Sequence, residues 1–196
     1  ILWEAARALG HAHQRGVVHR DVKPANIMFD HHGSVMLTDF GISKALQAAS
    51  GFTGTGMIIG TPHYMAPEQI ERPGAVDHRA DIYSLGVVFY ELLTGELPLG
   101  RFAAPSQRVQ VDVRLDDVVL RALEKEPARR YQSAGALAGD IERFLAHQPI
   151  LAHPPSTAYQ IRKLVRRHRA AAALAGVLAL VVVASAVSLA VQSARL

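Results

Sequence analysis

The chain has 196 residues, 49% hydrophobic and 19% charged, too apolar for a disordered segment and long enough for one sizeable core with an appendage. It contains no cysteine, which excludes a disulfide scaffold, thiolate zinc sites and a cysteine nucleophile. The net charge of +4 is local: residues 1–150 carry 15 basic and 17 acidic side chains and 151–196 carry 6 basic and none acidic, which argues against a uniformly basic nucleic-acid-binding surface and for a short cationic device near the C-terminal end.

The segment that opens at Ile1, with Glu4, Arg7 and Arg15 spread through it, lacks the charged-then-apolar order of a signal peptide, and reads as the continuation of a chain that starts upstream. Leu2, Ala5, Leu9 and Ala12 recur at helical spacing, predicting an amphipathic helix over 1–14 ended by Gly16. The period then changes. Val17-Val18, Ile27-Met28-Phe29 and Val35-Met36-Leu37 are short apolar runs, and Asp30-His31-His32-Gly33 between the last two reads as a hairpin turn. Residues 42–66, rich in Gly, Ser and Thr, have no periodicity and predict a long functional loop. Residues 77–94 predict a strongly apolar helix closed by Gly95. A loop is expected over 99–113, then helices over 115–125 and 134–145 with Pro127 between them. His153-Pro154-Pro155-Ser156 reads as a linker.

Beyond it, residues 170–194 form a run of 25 without a charge, and about 20 such residues span the ~30 Å hydrocarbon layer. Arg162, Lys163, Arg166, Arg167 and Arg169 stand immediately before it. A basic block on one flank orients a spanning helix with that flank in the cytoplasm. The positive charge lies against the apolar run without interleaved aromatics, so a nucleic-acid partner is not expected.

The chemistry lies between the first helix and the end of the hairpin. His19-Arg20-Asp21-Val22-Lys23-Pro24-Ala25-Asn26 precedes the hairpin and Asp39-Phe40-Gly41 follows it, so the fold-back lets Asp21, Asn26 and Asp39 converge at one edge. Two oxygen ligands of this kind suit Mg²⁺, and a third carboxylate nearby can accept a proton from a hydroxyl nucleophile. Phosphoryl transfer needs that combination. Isolated aspartates are usually cap or turn residues, the reading given to Asp30, Asp77 and Asp140. His11 and His13 do not share a helix face and His31 and His32 sit in a turn, so all four are read as solvated polar residues rather than metal ligands.

In these blocks the chain resembles the eukaryotic-like serine/threonine protein kinases of bacterial type. The eight-residue block is similar to the catalytic loop and Asp39-Phe40-Gly41 to the magnesium-binding triplet. Gly60-Thr61-Pro62-His63-Tyr64-Met65-Ala66-Pro67-Glu68 resembles the end of the activation segment, Asp81-Ile82-Tyr83-Ser84-Leu85-Gly86 the start of the long helix, and Pro127-Ala128-Arg129-Arg130 the late arginine motif. Five matches stand in the family's order.

The resemblance implies that Asp21 is the catalytic base, that Lys23 steadies the γ-phosphate of ATP, and that Asn26 and Asp39 hold Mg²⁺. Met28 would lie under the adenine ring. Lys23, together with Thr61 in the substrate loop, indicates the serine/threonine branch. Arg20 would pair with a phosphorylated loop residue, with Thr53 and Thr55 the expected autophosphorylation sites beside Ser50. His19 is expected as a packed structural histidine, and Phe40 and Gly41 as structural members of their triplet. Glu68 and Arg130 would form a buried ion pair, and Asp81 would tie the long helix to the catalytic loop.

The implied fold is mainly α with a small β-hairpin region. A kinase C-terminal lobe spans 1–148, a linker and basic segment 149–169, a single transmembrane helix 170–191, and the start of an extracytoplasmic region 192–196. No glycine-rich phosphate loop or strand lysine precedes the first helix, so the N-terminal lobe is absent and the fragment alone is expected to be inactive. The expected partners are ATP, protein substrates with Ser or Thr hydroxyls, the lipid bilayer and a second copy for phosphorylation in trans. A membrane-tethered pseudokinase scaffold is the competing expectation, weighed against by the retention of Asp21, Lys23, Asn26 and Asp39.

Overall fold

The computed structural model describes residues 1–41 and 62–152. The chain divides into two units, Ile1–His153 and Pro154–Leu196, and the second lies outside the described residues. So do Ser50, Thr53, Thr55 and Thr61, the basic segment and the expected transmembrane helix over 170–191. Among the described residues no helix is long and apolar enough to cross a membrane.

Helix α1 (Leu2–Gln14) turns Ala5, Ala6 and Leu9 inward, each with no exposed surface. Strands β1 (Ile27–Phe29) and β2 (Val35–Leu37) pair antiparallel with Met28 opposite Met36. Asp30 sets the turn, its Oδ1 accepting the amides of His32 and Ser34 at 2.8 Å. Ile27, Val35 and Leu37 pack toward the helices, while Met28 and Met36 remain about half exposed at 50% and 45%. Val17 and Val18 form no strand.

A five-residue helix, α2 (Pro67–Glu71), leads through a short turn to the central helix α3 (Arg79–Thr94). Residues 80–82 and 84–90 of α3 are all buried, so the helix is apolar nearly all round because it is surrounded by α1, α5 and α6. Asp77 Oδ1 accepts the Arg79 amide at 2.8 Å, which starts the helix two residues after the sequence expectation. Gly95 closes it in the left-handed conformation, φ 75°, its amide bonding Glu91 O at 2.8 Å.

The loop expected over 99–113 contains one helical turn, α4 (Pro105–Arg108). Pro105 presets its first turn, and Asp116 accepts both the amide (2.9 Å) and the hydroxyl (2.5 Å) of Ser106. Helix α5 (Arg114–Ala122) ends three residues before the expected limit, ahead of Pro127, and α6 (Ala134–Leu145) starts at Ser133, whose hydroxyl accepts the Ala136 amide. Helix α6 lies along α1, and α5 crosses α3 at Gly86.

Two expectations are corrected. Asp140 is neither a cap nor a turn residue: it lies fully buried in α6 and accepts the amides of Leu151 and Ala152, both at 2.7 Å, and the Tyr131 hydroxyl at 3.0 Å. His13 is not solvated: its side chain is 8% exposed and its Nε2 lies 2.8 Å from Asp81 Oδ2, whereas His11 is exposed.

Candidate active site

The site is built on the segment between α1 and β1. Arg20 sits at φ 63°, a left-handed conformation that side-chain-bearing residues seldom adopt, so its neighbours must hold it there. The fully buried Asp81 carboxylate does so from α3, accepting the amides of His19 at 2.8 Å and Arg20 at 2.7 Å, with His13 Nε2 as its third partner. Such bonds to an ionised acceptor are the stronger kind.

His19 has no exposed surface. Its Nδ1 receives the Asp21 amide at 3.3 Å, so Nε2 carries the proton and donates to Thr38 O at 3.0 Å. The ring lies 4.4 Å from that of Phe40. Gly41 closes the contact from the far side of the hairpin, its amide bonding His19 O at 2.7 Å. A Cβ at position 41 would stand 2.8 Å from that same oxygen, so only glycine allows the two stretches of backbone to meet. His19 thus joins the first block to the Asp39-Phe40-Gly41 triplet.

The chemistry-bearing side chains stand at this junction. Lys23 Nζ donates to Asp21 Oδ2 at 2.8 Å, with both side chains about one-fifth exposed. The buried Asn26, on a single 3₁₀ turn, donates its Nδ2 to Asp21 O at 2.8 Å and to Asp21 Oδ2 at 3.2 Å. Thr38 N bonds Asn26 O at 3.0 Å, which sets the residue before Asp39 beside Asn26. Asp39 is exposed, at φ 56°. The structure therefore gathers Asp21, Lys23 and Asn26 directly and places Asp39 next to Thr38, whose amide bonds Asn26. Among the described residues no group of three or more His, Asp or Glu side chains forms a protein-only metal cage. Asn26 and the exposed Asp39 offer oxygen donors of the kind Mg²⁺ takes.

A second layer holds the segment that leads into α2. Arg130 is 1% exposed and uses all five guanidinium donors: two on Glu68, at 2.5 and 2.7 Å, and one each on the carbonyls of Glu124, Arg79 and Lys125. Its guanidinium also faces the Tyr83 ring at 4.9 Å. Burial pushes the Tyr83 hydroxyl up, opposed by that cation. Tyr64 donates to Glu91 at 2.7 Å, and burial followed by the nearby carboxylate pushes it up to about 12.

Sequence reasoning did not single out Gln69. Its Oε1 accepts the Ala66 amide at 2.9 Å and its Nε2 donates to Arg20 O at 2.9 Å. The signal was present, since a glutamine at the third helical position commonly bonds back to the cap amide.

A protein kinase domain family model matches residues 1–148. Over 164 residues the chain is 44% identical to serine/threonine-protein kinase PknB of Mycobacterium leprae, covering 76% of this chain and 26% of that protein. It is 41% identical over 165 residues to PknB of Mycobacterium tuberculosis, with the same coverages. The chain thus spans about a quarter of the length of these relatives. A solved kinase domain of Mycobacterium tuberculosis PknI, a double mutant, superposes with a TM-score of 0.57 at 34% identity, covering 73% of this chain and 52% of that one.

Proposed function

This chain belongs to the protein kinase domain family, and from that premise we propose that its parent protein is a serine/threonine kinase that transfers the γ-phosphate of ATP to protein hydroxyls. The observation that carries the reading is the junction of Asp21, Lys23 and Asn26 on a loop whose backbone is clamped by Asp81. In this reading Asp21 orients the attacking hydroxyl and accepts its proton, while Lys23, 2.8 Å away, faces the transferred phosphoryl group.

Asn26 and Asp39 would hold Mg²⁺. The fit is supported by the donor chemistry: Asn26 commits its amide nitrogen to Asp21, leaving Oδ1 as a ligand oxygen, and Asp39 adds an exposed carboxylate. The ion, when bound, neutralises charge on the phosphates. Met28, half exposed opposite Met36, supplies an apolar surface suited to the adenine ring. Thr61 would contact the substrate, and phosphates on Thr53 and Thr55 would pair with Arg20. The kinase's smaller lobe would precede Ile1, a reading supported by the match to about half of a solved kinase domain.

The parent would be single-pass, with 170–191 in the bilayer, the lobe on the cytoplasmic side and 192–196 opening an extracytoplasmic region, as the basic block before the uncharged run supports. Phosphorylation in trans between two copies is part of the same proposal. Retention of Asp21, Lys23, Asn26 and Asp39 supports a kinase over a pseudokinase scaffold.

The test is phosphotransfer by the complete reading frame against its Asp21→Asn variant. A loss of about 10²–10⁴-fold in kcat with unchanged thermal stability is expected, and undiminished turnover would overturn the assignment. Phosphopeptide mapping of the same wild-type preparation reads Thr53 and Thr55. Carbonate-resistant membrane association that disappears on deleting 170–191 tests the anchor, and unaltered association would remove it.

A further inference from the structure

The peptide plane between Arg20 and Asp21 is the last rigid unit before the Asp21 side chain. Its N–H end rests on His19 Nδ1 at 3.3 Å, a long contact, and its C=O end receives Gln69 Nε2 at 2.9 Å. The preceding plane is anchored by Asp81 Oδ1 on the Arg20 amide at 2.7 Å. Arg20, at φ 63°, lies between the two planes, so each must be held for the conformation to persist.

Gln69 reaches the plane from α2, at the end of the activation segment. Glu68, the residue before it, is gripped by Arg130 through two hydrogen bonds, and Gln69's own Oε1 accepts the Ala66 amide. Glu68 therefore fixes α2 against the helical base while Gln69 faces the catalytic loop. Only an amide performs both of its tasks at this reach: glutamate accepts but cannot donate when ionised, and alanine does neither.

We propose that Gln69 is a positioning residue, which transmits the seating of the activation-segment end to the orientation of the Arg20–Asp21 peptide and so to the Asp21 carboxylate. The inference rests on the kinase reading of Asp21 and goes beyond it, because it makes α2 part of what aims the base. When α2 is seated, the Arg20 carbonyl has its donor. When α2 shifts, the carbonyl end loses its donor while the N–H end rests on the long His19 contact, and the plane can rotate.

The experiment compares wild type, Gln69→Glu and Gln69→Ala in the complete reading frame. The glutamate variant keeps the acceptor for the Ala66 amide and sets a carboxylate against the Arg20 carbonyl. It should retain the wild-type Tm while kcat falls at least about ten-fold with KM for ATP unchanged, since small misplacements of a reacting group cost this much or more. Hydrogen exchange over 20–22 should quicken in the same protein. The alanine variant should lose both Tm and kcat. Wild-type kcat in Gln69→Glu, or a loss of kcat only in proportion to a loss of Tm, would overturn the proposal. A wild-type protein without phosphotransfer would sink the kinase reading instead, and exchange at 20–22 then decides on Gln69 alone: acceleration in Gln69→Glu supports the coupling, and an unchanged pattern overturns it.

Discussion

Replacing Arg130 with methionine removes five hydrogen bonds at once. Methionine keeps the unbranched apolar stem and ends where the guanidinium begins, so what is lost is the guanidinium with its hydrogen bonds and its contact with the Tyr83 ring. What remains is the Glu68 carboxylate, its side chain 13% exposed, without its cation. Breaking a buried pair from one side costs about 3–5 kcal/mol. Water can reach Glu68 in part, and Lys125, one of the carbonyl partners, lies at an exposed position, so the lower end applies, about 3 kcal/mol. For a domain of this size each kcal/mol lowers Tm by about 2–4 °C, giving a fall of about 6–12 °C.

The double variant Glu68→Gln/Arg130→Met separates the pair's own attraction from the penalty of an orphaned charge. Once the carboxylate is gone, removing the cation strands no buried charge, so the double variant should lose no more than Arg130→Met alone, which makes the coupling at least as large as the loss in Glu68→Gln alone. Chemical denaturation of all four proteins, with m-values compared, is the assay. A loss below about 1 kcal/mol in Arg130→Met, or losses that simply add in the double variant, would refute the reasoning.

Gly86→Ala should destabilise by about 1–2 kcal/mol: helix propensity favours alanine by about 1 kcal/mol, but overpacking costs up to about 3, and the new Cβ would lie 2.8 Å from Ala122 Cβ and 3.3 Å from the Ala122 carbonyl carbon. An unchanged or raised Tm would show that α3 and α5 separate easily. Tyr64 has a folded-state pKa of about 12 against 10.0 unfolded, so it contributes stability that is complete below pH 10 and is lost as pH rises toward 12. Unfolding free energies measured from pH 9 to 12 should therefore fall more steeply in wild type than in Tyr64→Phe, while the raised Tyr83 and Tyr131 hydroxyls act equally in both. Parallel pH profiles would remove Tyr64 from the account.

What was legible in the sequence had local causes. The α1 stripe, the Asp30 turn and the Gly95 stop each depend on residues within a few positions, and the observed elements lie where the spacing places them. Asp21, Lys23 and Asn26 were legible because one short block carries all three, and a single 3₁₀ turn suffices to bring them together. The polar residues that hold this block were harder, because their partners are distant: His13 meets Asp81 across 68 positions and Gln69 meets Arg20 across 49. His11 and His13 occupy different faces of α1. With His11 in solvent, the same geometry turns His13 against α3, which the reading of both as solvated missed. The one-turn helix at Pro105–Arg108 depends on Asp116, ten residues on, and no periodicity within the four-residue turn announces it.

These long-range contacts share a physical logic. The three buried aspartates, Asp81, Asp116 and Asp140, stand on helices α3, α5 and α6, and each accepts backbone amides from another segment: His19 and Arg20, Ser106, and Leu151 with Ala152. Loop amides inside a fold lack the ladder partners that helices and strands provide, and leaving them dry is costly. A carboxylate on a rigid helix satisfies two donors at once and fixes their direction, two amides at Asp81 and at Asp140 and an amide with a hydroxyl at Asp116. An apolar side chain of the same size would fill the space and leave the amides unpaired, and asparagine would offer a single oxygen. Burial of charge in this lobe is therefore best understood as placement of loops rather than as a source of net stability, since buried ion pairs contribute little of the latter. The loop that carries Asp21 has the most such anchorage, with Asp81 on two amides, His19 on one and Gln69 on the carbonyl between them.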